Sequence, residues 1–324
     1  MQTIDHFFTR ESQLTEEYRL ELCQFKENYC HQYLLPVCLS SGTINIAILD
    51  SQPLSACIGT ILIIQGRAET MDKYLSLIKD FVAQNYRVIT YDHPYQGYSS
   101  DLQDLQMSWI GCFDDYLKVL SEVLSRYDHL NPQIISVSMG GMIAIQALNR
   151  ALIKPRKLIL VTPMMRISKN GFPPFIAKFI AKSADLFYRF LGNKYAPAPG
   201  QMKEYRIPEF QGNGKTHSIN RLSFYHRWYQ NPSQHPLGGV TWHWLYECYN
   251  NEPEVILNSD TEILFLEAEE DTIVDNSCNK TLIKKSDSAI NFITIKNAYH
   301  DLLNETDGIR DQVLTSICHF LEKE

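Results

Sequence analysis

The sequence predicts an α/β fold built on a mostly parallel, doubly wound sheet, and three observations carry that expectation. Continuous apolar runs of the kind buried on both faces recur at Gly59–Ile64, Tyr86–Tyr91, Gln133–Val137 and Lys157–Val161. Between them, about 71–84, 112–127 and 139–150, apolar residues repeat at helical steps. The chain of 324 residues is 44% hydrophobic and 21% charged, which is enough apolar side chain for a large core and excludes disorder, collagen and coiled coil.

Taken in order, residues 11–29 read as a helix through Leu14, Tyr18, Leu22, Phe25 and Tyr29. The stretch 43–49 then alternates like a half-buried strand, and the four strand–helix units above follow it. After Pro163 the alternation stops. It resumes with a strand at 262–266, a helix near 276–286, a strand at 291–296 and a last helix at about 306–322. The expected organisation is therefore a core in two parts, 1–163 and 251–324, interrupted by an insertion over 164–250.

The insertion differs in composition from the rest. It holds eleven Lys/Arg against four Asp/Glu, a net charge of +7, and 17 of the 37 aromatic residues. The whole chain is nevertheless at −7, so the remainder stands at −14. A sequence pI near 5.8 excludes nucleic-acid binding through overall positive charge. Eight scattered cysteines without a C-x-x-C pair argue against a zinc site or a disulfide framework and suit a reducing compartment. Residues Met1 to Asp5 carry no basic and apolar leader, and no apolar run approaches the ~20 residues that span a bilayer. A cytoplasmic location is expected, with any membrane met from outside.

The strongest local signal is Ser136-Val137-Ser138-Met139-Gly140, where an apolar strand enters a small-x-Ser-x-Gly turn and a helix begins at once. Such a turn lifts the Ser138 hydroxyl clear of the sheet, and the Met139 amide at the helix start faces a developing oxyanion. A serine nucleophile needs a base, and the base needs an orienting carboxylate. His300 follows the last strand and fits the base. The loop after the strand at 262–266 offers Asp271 as the acid, with Glu269, Glu270 and Asp275 open as alternatives. Gln65-Gly66-Arg67 follows the first buried strand, where the Arg67 amide is placed to be the second oxyanion donor. Asp92 and Gly97, after the next strand, read as structural. This chemistry requires no metal and no organic cofactor.

These residues together resemble the serine α/β hydrolases, in particular the monoacylglycerol lipase and bacterial lysophospholipase L-two group, over nearly the whole chain. Ser138-Met139-Gly140-Gly141 matches that group's S-M-G-G, and Asp92-His93 with Gly97 and Ser99 is similar to its D-H-R-G-x-G-x-S. Gln65-Gly66-Arg67-Ala68-Glu69 resembles P-G-R-x-E, Ala298-Tyr299-His300-Asp301 resembles A-Y-H-E, and the register of Glu267 to Asn276 against Q-A-E-E-E-x-V-V-D-N puts Asp271 in the acid's place. Within the insertion, Thr162-Pro163-Met164, Arg221 to Tyr225 and Gly238 to Trp244 resemble A-P-M, L-R-F-Y and G-G-P-T-Y-H-W. Ser136-Val137 departs from the usual small residue and His before the nucleophile, and Pro94-Tyr95 from Arg-Gly. The resemblance implies an α/β-hydrolase fold with a helical lid and hydrolysis of the remaining acyl ester of a lysophospholipid, with acyl transfer between lipids alongside. It also implies peripheral association with the cytoplasmic face of the inner membrane. Monoacylglycerol or a simple carboxylic ester is the competing substrate.

Two expectations concern the lid. Phe175, Ile176, Phe179, Ile180, Leu186, Phe187, Phe190 and Leu191 form one helical stripe, with Lys178, Lys182, Asp185 and Arg189 opposite. Such a helix either packs its apolar side over the active site or lies on an anionic membrane, where each Lys or Arg contributes about 1 kcal/mol. Trp228, Trp242, Trp244 and Tyr225 read as lid core that also lines a substrate tunnel. Arg221, Arg227 and His243 are candidate phosphate partners.

Overall fold

The computed structural model describes residues 8–99, 106–167, 172–207, 209–230, 236–257, 260–287 and 289–323. Its frame is an eight-stranded sheet among the described residues, in the order β1-β2-β4-β3-β5-β6-β7-β8. β1 (Cys30–Leu39) and β2 (Gly42–Ser51) form an antiparallel hairpin at one edge, and β2 pairs antiparallel with β4 (Tyr86–Tyr91). β3 (Gly59–Ile64), β5 (Gln133–Val137), β6 (Lys157–Val161), β7 (Glu262–Ala268) and β8 (Ile290–Ile295) continue parallel to β4.

The central strands are apolar on both faces because both faces are covered. Leu62, Ile64, Ile134, Leu158 and Leu160 enter one core, packed with α3 (Phe113–Tyr127), α4 (Met139–Asn149) and α8 (Asn279–Lys284). Their neighbours Ile61, Ile63, Ile135, Ile159 and Val161 enter the other, under α1 (Glu16–Tyr29), α2 (Leu75–Ala83) and α9 (Asp307–Glu322). β1 has no counterpart in the sequence reading. It leaves α1 without an intervening loop, and only Leu35, Val37 and Leu39 of its ten residues are buried, so its alternation emerges late. Pro36 sits on this edge strand, where a missing N–H costs little.

Between β6 and β7 the chain builds α5 (Pro174–Phe190), α6 (Ile219–Trp228) and α7 (Trp242–Asn250). This segment is tied to the sheet by main-chain bonds. Met164 donates to the Ser138 carbonyl (2.9 Å), Asp275 donates to the Arg166 carbonyl (3.0 Å), and Thr241 donates to that of Ser108 (3.1 Å). α5 packs along α7 through Ala177, Ala181 and Asp185, with Asp185 accepting from His243 Nδ1 at 3.0 Å.

The first role read for the α5 stripe, apolar side chains packed over the active site, is therefore corrected for all its exposed members but Ile180, which lines the cavity beside Ser138. Phe175, Phe179 and Phe190 are 74%, 70% and 89% exposed, because the small residues of the opposite face are the ones that let two helices approach closely. Asp185, assigned from sequence to the solvent side, is buried on that packing face. Lys169, one of the insertion's basic residues, lies outside the described residues.

Candidate active site

β5 ends at Val137 and α4 begins at Met139, so Ser138 alone makes the turn. Its φ of 49° is a left-handed conformation that costs a non-glycine residue of order 1–3 kcal/mol and persists only when its surroundings hold it. They do. The Ser138 N–H donates to the Val161 carbonyl at 3.0 Å, and the Ser138 carbonyl accepts from Gly141 and Met164, each at 2.9 Å. Two glycines let the helix sit this close. A Cβ on Gly140 would lie 2.4 Å from the Ile64 carbonyl oxygen and 2.5 Å from that of Gln65, and one on Gly141 would lie 2.5 Å from Pro163 Cβ. The serine in the first glycine position of the motif is accommodated, since Ser136 is buried and donates its hydroxyl to the Ile159 carbonyl at 3.1 Å.

Ser138 Oγ lies 2.9 Å from His300 Nε2, and His300 Nδ1 lies 2.7 Å from Asp271 Oδ2. The Asp271 side chain is wholly shielded, and its other oxygen accepts from the amides of Ile273 (2.8 Å) and Val274 (3.2 Å), so it is fixed while it faces the imidazole. The other carboxylates considered for that place are engaged elsewhere or turned outward. Glu269 pairs with Lys296, Asp275 caps the turn at Ser277, and Glu270 is exposed. Thr162 Oγ1 donates to the His300 carbonyl at 2.9 Å and holds that loop against β6.

The Met139 amide is the first of α4 and has no acceptor within the helix. The loop carrying Arg67 is pinned from beneath. Asp92 accepts from Gln65 Nε2 (2.8 Å), Met71 N (2.7 Å) and Tyr98 N (2.7 Å), and His93 Nε2 donates to the Gln65 carbonyl (2.9 Å). Burial pushes the Asp92 carboxyl up to about 7 against those three donors and lowers His93 to about 4, so this histidine stays neutral. Gly97, at φ 54°, passes so close that a Cβ would lie 2.1 Å from Asp92 Oδ2. Asp92 and Gly97 thus shape the loop beside the serine without facing it.

Ser138 and His300 line a cavity of about 680 Å³, together with Arg67, Ile180, Tyr229 and Trp242. Of the expected substrate-binding residues Arg221, Arg227, His243 and Trp242, the structure brings Trp242 there. Arg221 is buried and donates to Asp307 Oδ1 (2.5 Å) and the Thr9 carbonyl (3.0 Å), facing α9 instead. Arg227 points to solvent and pairs with Glu16 of α1 at 3.6 Å. His243 is buried between Asp185 and the Gly111 carbonyl. None of these three lines the cavity, and their reading as phosphate partners is withdrawn. Of the tryptophan and tyrosine group, Trp242, Trp244 and Tyr225 line the cavity, whereas Trp228 packs beside Arg19.

Of the cations that do line it, the sequence reading names Arg67 for its amide alone and does not single out Lys73 or Lys215. Lys73 Nζ reaches Glu69 Oε1 (2.5 Å) and Asp301 Oδ2 (2.7 Å); burial opposes its charge, but the two carboxylates hold its pKa well above the usual range. The Arg67 guanidinium donates to Ser108 Oγ (3.0 Å) and the Gly238 carbonyl (2.9 Å), both neutral acceptors. Lys215, in an irregular stretch before α6, is lowered to about 8 by burial and then by Lys73 and Arg67, against Asp301 and Glu69. No period orients that stretch, so no signal in the sequence turned it inward.

A family model described as "Serine aminopeptidase, S33" (Hydrolase_4) matches residues 56–307. The chain is 30% identical over 311 residues to the probable lysophospholipase L2 of Haemophilus influenzae, covering 93% of this chain and 95% of that one. It is 29% identical to the lysophospholipase L2 of Escherichia coli K12 over 277 residues, 81% of this chain and 80% of the relative. Among solved structures, a soluble variant of a Saccharomyces cerevisiae monoglyceride lipase superposes with a TM-score of 0.63 at 15% identity, over 90% of this chain and 96% of that one. A thermostable carboxyl esterase from Bacillus coagulans does so at 0.66 and 15% identity, over 90% and 97%. A strained serine on the strand-to-helix turn, its histidine and carboxylate on later loops, and this extent of likeness place the chain in the serine aminopeptidase S33 (Hydrolase_4) family of α/β hydrolases.

Proposed function

We propose that this enzyme hydrolyses the acyl ester of lysophospholipids through an acyl-enzyme on Ser138. The observation that carries the reading is the relay Ser138–His300–Asp271, with contacts of 2.9 and 2.7 Å, opening onto a cavity sized for a lipid chain. His300 Nε2 takes the hydroxyl proton as Ser138 Oγ attacks the ester carbonyl. Asp271 holds the imidazole in the tautomer whose Nδ1 carries a proton and stabilises the imidazolium. The Met139 and Arg67 amides receive the tetrahedral oxyanion. Collapse breaks the bond to the glycerol oxygen, which leaves with the proton from His300. Water then enters, gives a proton to His300 and attacks the acyl carbon; collapse breaks the bond to Ser138 Oγ, which takes that proton back from His300, and the fatty acid leaves.

We assign α5 a second task, peripheral contact with an anionic membrane. Its exposed Phe175, Phe179, Leu186, Phe187 and Phe190 lie beside basic residues, and no helix among the described residues is long and apolar enough to cross a bilayer. Supporting the substrate class are the lysophospholipase L2 relatives. The competing reading, a monoacylglycerol lipase, draws on the monoglyceride lipase likeness, which at 15% identity speaks for the fold alone.

The test is hydrolysis of a panel (lysophosphatidylethanolamine, monoacylglycerol, p-nitrophenyl butyrate and an aminoacyl p-nitroanilide) by wild type and Ser138→Ala, with and without anionic vesicles. Lysophospholipid should be preferred, vesicles should raise the rate, and Ser138→Ala should lose both turnover and fluorophosphonate labelling. Preference for the neutral lipid overturns the substrate; an adduct that persists in Ser138→Ala overturns the mechanism.

A further inference from the structure

We infer that Lys215, with His226 and Tyr225, forms an anion subsite in the active-site cavity that receives the phosphate of the substrate's headgroup. The inference rests on the lysophospholipid reading and names the residues that would distinguish such a substrate from a neutral ester.

Among the described residues, four cations and three carboxylates line the cavity, and they are unequally matched. Lys73 is bracketed by Glu69 and Asp301. Arg67 is held by Ser108 and Gly238, and Arg206 and Glu204 lie exposed at the rim. The Lys215 ammonium has no hydrogen-bond or ion-pair partner among the described residues, and the residue is half-buried in the cavity wall. A partly desolvated charge without a partner gains when an anion arrives.

Two further groups point to the same ligand. Tyr225 and His226 line the same cavity, are 4% and 3% exposed, and each leaves a polar atom (Tyr225 Oη, His226 Nε2) buried without a partner among the described residues. The other ring nitrogen, His226 Nδ1, is bonded to the Tyr205 hydroxyl. Burial, reinforced by Lys215 and Lys73, lowers His226 to about 3, while burial raises the phenols of Tyr205 and Tyr225. Tyr205 therefore donates to Nδ1, the imidazole proton sits on Nε2, and Tyr225 keeps its own. An ammonium, an N–H and an O–H make a set of donors, which suits anionic oxygens and does not suit a quaternary ammonium.

Placement fits as well. The Lys215 carbonyl accepts the Asp301 N–H at 2.8 Å, one residue from His300. The Lys215 main chain is thus joined to the loop of the base, the subsite residues and His300 line one cavity, and in the substrate the phosphate is carried on the glycerol whose oxygen that base protonates.

The test measures Lys215→Met and Lys215→Arg in the full chain. The first readout is the ratio of kcat/KM on lysophosphatidylethanolamine to that on a monoacylglycerol of the same chain. Lys215→Met should lower the ratio about ten- to hundredfold, the worth of one hydrogen bond to a charged group, and Lys215→Arg should recover most of it. The second readout is inhibition of p-nitrophenyl butyrate hydrolysis by sn-glycerol 3-phosphate, which Lys215→Met should abolish and inorganic phosphate alone should not match. A ratio or an inhibition unchanged by Lys215→Met overturns the subsite, and equal inhibition by inorganic phosphate overturns its assignment to a headgroup. If wild type cleaves no lysophospholipid, the substrate reading fails separately, because the inhibition arm still reports on Lys215.

Discussion

Replacing Gly140 with alanine tests the spacing of the two amides proposed to receive the oxyanion, those of Met139 and Arg67. The new methyl would sit 2.4 Å from the Ile64 carbonyl oxygen and 2.5 Å from that of Gln65. Carbon and carbonyl oxygen are comfortable only from about 3.3 Å, so one backbone must retreat by about 0.9 Å. Neither obstacle is a side chain that can rotate aside, and β3 is bonded to β4 on one side and β5 on the other. The N-terminus of α4 is the part that yields, and it carries the Met139 amide away from the Arg67 loop. An amide displaced by that much leaves the 2.7–3.1 Å range in which it stabilises an oxyanion, so kcat should fall about 10²–10³-fold. Overpacking should cost a further ~1–3 kcal/mol of stability. Gly141→Ala is the control, since its obstacle is the Pro163 side chain at 2.5 Å, away from that loop. It should lose stability with a smaller loss of kcat. Steady-state kinetics on p-nitrophenyl butyrate with thermal melts of both variants decide the matter. A Gly140→Ala enzyme within about tenfold of wild-type kcat, or a slower Gly141→Ala, refutes the reasoning.

Other outcomes follow from the same geometry. Asp271→Asn should retain the fold but lose about 10⁴-fold in kcat, because an amide no longer enforces the imidazole tautomer; ester kinetics beside an unchanged Tm check it. Lys73→Met removes the cation between the half-buried Glu69 and the buried Asp301 and should cost up to ~3–5 kcal/mol. Burial raises the Asp301 carboxyl, but Lys73 overrides it and holds it below its usual value. That stabilisation is present above the ordinary carboxylate range and is lost as pH falls through the folded value. Urea melts should therefore show the gap between wild type and variant narrowing in acid. Phe179→Ser combined with Phe190→Ser should weaken sedimentation with anionic vesicles at least about tenfold, as each phenylalanine contributes up to ~1.5–3 kcal/mol when buried. Finally, Lys215 loses its proton as pH rises through about 8, under Lys73, Arg67, Asp301 and Glu69. Preference for lysophosphatidylethanolamine over monoacylglycerol should decline above that pH, and a preference that is flat to pH 9.5 contradicts the assignment.

Which features were legible from sequence depended on what a local pattern encodes. β3, β4, β5 and β6 match their apolar runs to the residue because strands buried on both faces leave no ambiguity of register. The strand-to-helix turn at Ser138 was legible because its geometry demands small residues at set places, and the nearness of His300 to it because His300 sits on the loop after the last strand. β1 escaped notice since its first half faces solvent. The failures lie in the insertion, where the question is which way a helix face turns. Arg221 and Arg227 are six residues apart on α6, and one is buried against α9 while the other meets Glu16 in solvent. The α5 stripe misled for a related reason: amphipathic spacing shows that two faces differ but not which face meets the protein. Two alanines and one aspartate settled that.

The insertion's attachment has a bearing on inheritance. At Met164, Arg166, Gly238 and Thr241 it is joined to the loops around Ser138, Asp275, Arg67 and Ser108 through its own main-chain atoms. Joints of that kind tolerate a change of side chain at those four positions, whereas Arg221, bonded to Asp307 and the Thr9 carbonyl, is a side chain the attachment uses. A chimera carrying a relative's insertion between those joints should assemble, and its lipid selectivity should travel with the graft.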